Sequence, residues 1–207
     1  MVRTGARINR LGTMLTQLGL ERAETPPTPP RLSGLSPSHQ TEVLRTYRAL
    51  GGQLEAPQLR PGAWDLAFTE GVVVELDEEL HFNRFRLETL SAGESRPWDH
   101  RYRQYCTDFE NECLKAGMWG SRWTTSSAER LMGAGDPAGE LGEHGAPRWK
   151  QRALYDSIKD LAADVRLCRL SVYDSLGNET LGRVLTGHAT YKPARLATLV
   201  QNRLANI

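Results

Sequence analysis

Nothing in this 207-residue chain approaches the ~20 consecutive apolar residues that a membrane-spanning helix needs, so no membrane partner is expected. Residues 1–10 carry three arginines and no apolar core, which is not the pattern of a secretion signal, and the cytoplasm is the expected location. Cysteine is scarce. Cys106, Cys113 and Cys168 are too few for a disulfide framework, and their odd number points to free thiols. No Cys/His pair has the spacing of a zinc site. The Gly-rich stretch 133–146 lacks the Lys-Ser/Thr ending of a phosphate-binding loop and reads as a mobile loop. Internal repeats are absent. Net charge is nearly absent too, at +1, and a nucleic-acid binder of such balance must concentrate its positive charge locally. With 39% hydrophobic and 25% charged residues, the composition is that of an ordinary globular protein.

What is present is an acidic hairpin. A three-residue turn at Thr69-Glu70-Gly71 pairs Phe68 with Val72, Leu66 with Val74 and Trp64 with Leu76. Strand alternation then places these six apolar side chains on one face. The other face carries Asp65 opposite Glu75, with Asp77 two residues on. Carboxylates about 5 Å apart raise one another's pKa, and a hard divalent cation relieves the repulsion. Asp65, Glu75 and Asp77 are therefore expected to hold Mg²⁺ or Mn²⁺. The alternative is a merely solvated acidic face. His81, four residues past Asp77, is a candidate general acid or base because its pKa lies near neutrality, although a lone His is more often structural.

At these residues the chain resembles the restriction-endonuclease-like PD-(D/E)XK nucleases, whose motif sets an Asp on one strand and Glu-x-Lys on the next. Asp65 and Glu75-Leu-Asp77 match it. The closer likeness is to the branch similar to very-short-patch-repair endonucleases, in the run Val72-Val-Val-Glu-Leu-Asp77, the nearby His81, and a helix ending near Lys115-Ala-Gly117. The resemblance covers residues 38–118 and, more weakly, 147–175. Asp77 stands where most of the superfamily has Lys, and Glu78 where the closer branch has Gly. His81, Lys150 or Lys159 would then replace the missing Lys. Residues 90–97 read as an insertion. The resemblance implies a metal-dependent nuclease acting on DNA in repair, restriction or phage defence, and it is compatible with a homodimer. The rivals are a catalytically inactive nuclease-like module that binds nucleic acid or protein, and a metal-dependent hydrolase of a small molecule.

The rest of the chain supports an α/β class: a central mixed sheet containing the acidic hairpin, flanked by helices. Residues 1–35 form an N-terminal helix with a stop near Gly19, followed by the Pro-rich linker Thr25–Pro30. Residues 36–207 form the nuclease-like domain. Ser36-Pro37 caps a helix ending at Gly51-Gly52, which carries Glu42, a candidate extra acid that is more simply a surface residue. Residues 54–56 read as a short strand. Asp99 caps one helix running to about Ala116, with Cys106 and Cys113 on its apolar face. Trp119 and Trp123 mark a loop or its packing. Pro147 opens a further helix, Arg166–Tyr173 is a buried strand, residues 182–188 are ambiguous, and a helix spans Pro193–Ala205. Arg84, Arg86, Arg101 and Arg103 are the candidate nucleic-acid contacts. Arg84 and Arg86 lie in an aromatic-cationic run, where phosphate pairing and plain surface exposure are equal readings.

Overall fold

Val72-Val-Val-Glu-Leu-Asp77 forms the central strand of a three-stranded sheet, and every one of its residues is buried. The computed structural model describes residues 5–91 and 96–204; of the expected insertion, residues 92–95 lie outside them, as does Ala205 of the expected final helix. Helices α1 (Ala6–Gln17) and α2 (Pro37–Ala49) precede strands β1 (Leu66–Ala67) and β2 (Val72–Asp77). Helices α3 (Arg84–Ser91), α4 (Asp99–Asp108), α5 (Glu110–Gly117), α6 (Ser126–Met132) and α7 (Pro147–Asp160) follow, then β3 (Arg166–Ser171), α8 (Leu181–Leu185) and α9 (Pro193–Leu204). The described residues thus make a mixed α/β architecture around a small sheet.

The hairpin has the expected register, with Leu66 opposite Val74 and Ala67 opposite Val73. Phe68 N donates to Val72 O at 2.8 Å. Gly71 adopts the positive φ expected of it, 70°, and Glu70 does so as well, at 58°. β3 joins β2 in parallel, with Glu75 opposite Arg169 and Asp77 opposite Ser171. Parallel pairing demands a crossover, and the helices up to α7 provide it. The outer edge of β1 is covered by the chain after α1: Ala23 N donates to Ala67 O and Thr69 N to Glu21 O.

Both faces of the sheet are covered. Leu66, Phe68, Val72, Val74, Leu76, Cys168 and Leu170 pack on Leu11, Met14 and Leu15 of α1 and on residues of α8 and α9. Helix α1 is therefore part of the central core. Ala67, Val73 and Leu167 face the other way, toward Phe82 and the α4 residues Tyr102, Tyr105 and Cys106. Trp64 joins this second cluster and not the face of Leu66. The ladder begins at Leu66, so strand alternation does not extend back to Trp64.

Three local readings change. The helix expected over residues 99–116 breaks at Phe109 (φ −116°, ψ 15°) into α4 and α5. Asp99 is the first helical residue rather than the cap, and its carboxylate accepts from Arg96 N at 2.7 Å. Residues 54–56 form no strand and lie exposed. Ser36 does cap α2, its hydroxyl accepting from His39 N, and the ambiguous stretch after Leu181 is the short helix α8.

Candidate functional site

Helix α7 crosses the sheet face that carries the acids. Arg148, Arg152, Tyr155, Asp156 and Lys159 recur at three- and four-residue intervals, so one stripe of the helix meets β2. Between them lies a recess of about 270 Å³, lined by Asp65, Glu75, Leu76, Glu78, His81 and the α7 stripe, with Gly5 and Ile8 of the N-terminal segment on one side.

Asp65 and Glu75 meet here as the pairing predicts. Asp65 N donates to Glu75 Oε1 at 3.2 Å, and Leu76 N donates to Asp65 Oδ2 at 2.8 Å. Lys159 Nζ reaches the same Glu75 Oε1 at 2.8 Å. It also donates to Ala63 O at 2.9 Å and sits 5.2 Å from the centre of the Trp64 ring. Burial pushes the Glu75 carboxyl up to about 7; Asp65 adds to the rise, while Arg169 and Lys159 oppose it. Asp65 keeps solvent access at the recess mouth, yet the surrounding protein still raises its pKa, against the pull of the Leu76 N–H. Asp65 Oδ1 and Glu75 Oε2 have no hydrogen-bond partner among the described residues.

Asp77 belongs to a different arrangement. Both its oxygens accept from Arg169 Nη1 at 2.8 Å, and Arg169 is wholly buried. Arg169 also donates through Nε to Asp160 Oδ1 at 2.8 Å, and Asp160 binds Arg86 at 2.7 Å. His81 Nδ1 lies 3.1 Å from Asp77 and 2.9 Å from Asp156. Burial alone would lower the His81 pKa, but the two carboxylates outweigh it and raise it. Burial would likewise raise Asp156, but His81 and Arg169 hold its carboxyl well below the usual range.

Two oxygen-bearing groups are thus in reach of a cation. The ligand atoms of Asp77, His81 and Asp156 lie within 4.8 Å of one another. Arg169, however, already engages both Asp77 oxygens and stands 3.7 Å from Asp156. Like charges at ~4 Å cost about 4 kcal/mol per unit charge in a protein of effective dielectric 20, so a divalent ion is disfavoured there. The Asp65–Glu75 pair leaves two oxygens unshared, with the Lys159 ammonium 2.8 Å from Glu75 Oε1 on its other side.

The arginines expected to contact nucleic acid do not line this recess. Arg86 is buried in its pair with Asp160 and has no surface to offer. Arg84 is forked onto Glu110. Arg101 is exposed on α4, and Arg103 of the same helix donates to Leu90 O. Glu42 lines a separate small cavity with Thr46 and Asp99. Lys150 lies buried near the Phe85 ring, outside the recess. Arg148, Arg152 and Asp156 were missed by sequence reasoning, although their spacing on one helix face was readable. Arg169 was missed too; an Arg amid the apolar residues of a buried strand was its signal.

Neither a curated protein nor a solved structure matches this chain. A family model does, over residues 45–187, and that span holds the whole recess apart from its N-terminal wall. It covers more than half of the chain, which therefore belongs to the family described as "Family of unknown function (DUF7255)".

Proposed function

We propose that this protein is a divalent-metal-dependent nuclease of the restriction-endonuclease-like type, hydrolysing phosphodiester bonds in DNA. The observation that carries the proposal is the meeting of Asp65, Glu75 and Lys159 in one recess. An acidic hairpin, followed by the helices α3 to α7 and a parallel strand, supports it.

Asp65 and Glu75 would hold Mg²⁺ or Mn²⁺. Such an ion, when bound, lowers the pKa of a coordinated water and offsets phosphate charge. Lys159 supplies from α7 the cation that the motif normally carries at the position of Asp77. Its contacts with Glu75, Ala63 and Trp64 fix the ammonium, so that it can orient the attacking water and stabilise charge on the phosphate. His81, its pKa raised by two carboxylates against the effect of burial, is better suited to donate a proton or contact an anion than to act as the base. Asp77 positions His81 and Arg169. In this proposal the expected three-acid ligand set narrows to Asp65 and Glu75.

A second reading, a nuclease-like binding module without catalysis, is favoured by one observation: Arg169 already engages both Asp77 oxygens. The two separate by calorimetric titration of Mg²⁺ and Mn²⁺, with cleavage of plasmid and single-stranded DNA measured on the same samples. The nuclease should bind metal and cut DNA, and Asp65→Ala/Glu75→Ala should do neither. Lys159→Met should lose about 10²-fold in cleavage rate while its metal affinity holds or tightens. A wild type that neither binds metal nor cuts would leave the binding module.

A further inference from the structure

Buried guanidiniums in this protein come with carboxylates. Arg86 has Asp160, Arg169 has Asp77 and Asp160, and Arg203 has Asp174. Arg148 and Arg152 break the pattern. Both are half-buried and both line the recess, yet neither has an ion-pair partner among the described residues. Arg152 Nη1 donates to Leu80 O at 3.2 Å, and Arg148 Nη1 donates to Gln151 Oε1. The two stand one helical turn apart on the same stripe of α7, where like charges oppose each other. Burial and then the neighbouring Arg148 make Arg152 hold its proton less tightly than usual. Asp156, one turn further on, partly offsets this.

Two unpaired cations drawn partly out of water favour a bound anion. Guanidinium forks match the oxygens of phosphate, and two forks suit a group with several acceptor oxygens. The recess, at about 270 Å³, falls below the ~300–1,000 Å³ of a site for a drug-sized ligand. It suits a phosphate with one attached sugar-sized group. We propose that Arg148 and Arg152 form a phosphate seat, which holds a backbone phosphate of the strand being cut next to the Asp65–Glu75 pair. The seat as an anion site stands independently of catalysis; only the source of the phosphate rests on the nuclease reading.

The test uses the full chain with a chelator and no metal. Orthophosphate is titrated calorimetrically into wild type, Arg148→Gln, Arg152→Gln, Arg152→Lys and Glu75→Gln, and each variant's melting temperature is recorded. Wild type and Glu75→Gln should bind. Either Gln variant should weaken binding by about tenfold or more, as loss of a charge-assisted hydrogen bond implies, and Arg152→Lys should fall between. In parallel, the salt dependence of binding to a short single-stranded oligonucleotide is measured. Its slope should drop by about 0.7 in Arg152→Gln, because one phosphate fewer is neutralised by the protein. Unchanged orthophosphate affinity in both folded Gln variants overturns the seat, even if the protein cuts DNA. Orthophosphate binding abolished in the variants with an unchanged oligonucleotide slope overturns a strand phosphate as the occupant. Orthophosphate binding and slope behaving as expected with no cleavage by wild type keeps the seat and refutes the nuclease.

Discussion

Replacing Asp77 by Ala separates a counter-ion from a metal ligand. Arg169 is wholly buried, and Asp77 gives it two oxygens at 2.8 Å. Breaking a buried ion pair by removing one partner typically costs about 3–5 kcal/mol, because the other charge is left uncompensated. Asp160 stays at 2.8 Å from Arg169 Nε, and Asp156 at 3.7 Å from Nη1, so part of the compensation survives. The lower end, about 3 kcal/mol, is therefore expected. For a chain of this size that corresponds to a fall in Tm of roughly 6–12 °C. Urea denaturation followed by tryptophan fluorescence measures the loss. Arg169→Met and the double variant complete a cycle, in which the second change should cost much less than the first because the orphaned charge is gone. Mg²⁺ affinity should change little in Asp77→Ala, provided the variant is folded under the conditions of titration. The reasoning fails if Asp77→Ala loses less than about 1 kcal/mol while its metal affinity collapses. Asp77 would then be a ligand and Arg169 a bystander.

Glu75 and the cysteines give two further tests. Burial lifts the Glu75 pKa from 4.5 to about 7, so the folded state takes up a proton between those values that the unfolded chain does not. Stability relative to Glu75→Gln should therefore fall as pH rises from 4.5 through 7, by on the order of 3 kcal/mol. Over the same range Mg²⁺ binding should tighten and release a proton, read from the buffer dependence of the calorimetric heat. A flat stability difference would show that Glu75 ionises normally. Burial also pushes the thiols of Cys106, Cys113 and Cys168 up to about 12. A thiol reagent at neutral pH should label none of them in the native protein and all three in urea; labelling of any one in the native state would contradict their burial.

Much of the hairpin was legible from alternation and turn chemistry. Leu66 opposite Val74 and the acids Asp65 and Glu75 on one face follow from a period of two and a Gly at the turn. The helix starts at Ser36-Pro37 and Pro147 were legible for the same kind of local reason, since a missing N–H and a fixed φ suit the first helical turn. The break at Phe109 was not, because the apolar stripe continues across it from Cys106 to Cys113. The functional reading of Arg86 went astray for a related reason. Its neighbours are charged and aromatic, as on a binding surface, yet a carboxylate 74 residues away draws it into the interior.

Much of the local order was thus set by the chain itself: the hairpin and its turn, the helix starts at Pro37 and Pro147, and which strand carries acids. These depend on neighbours two to four residues apart, whose geometry a helix or strand dictates. Only the tertiary structure decided how the acids divide their labour. Arg169 reaches Asp77 across 92 residues, and Lys159 reaches Glu75 across 84. Which cation each acid meets depends on how α7 and β3 pack against β2. In a buried site of low dielectric, that single neighbour outweighs everything the local sequence encodes.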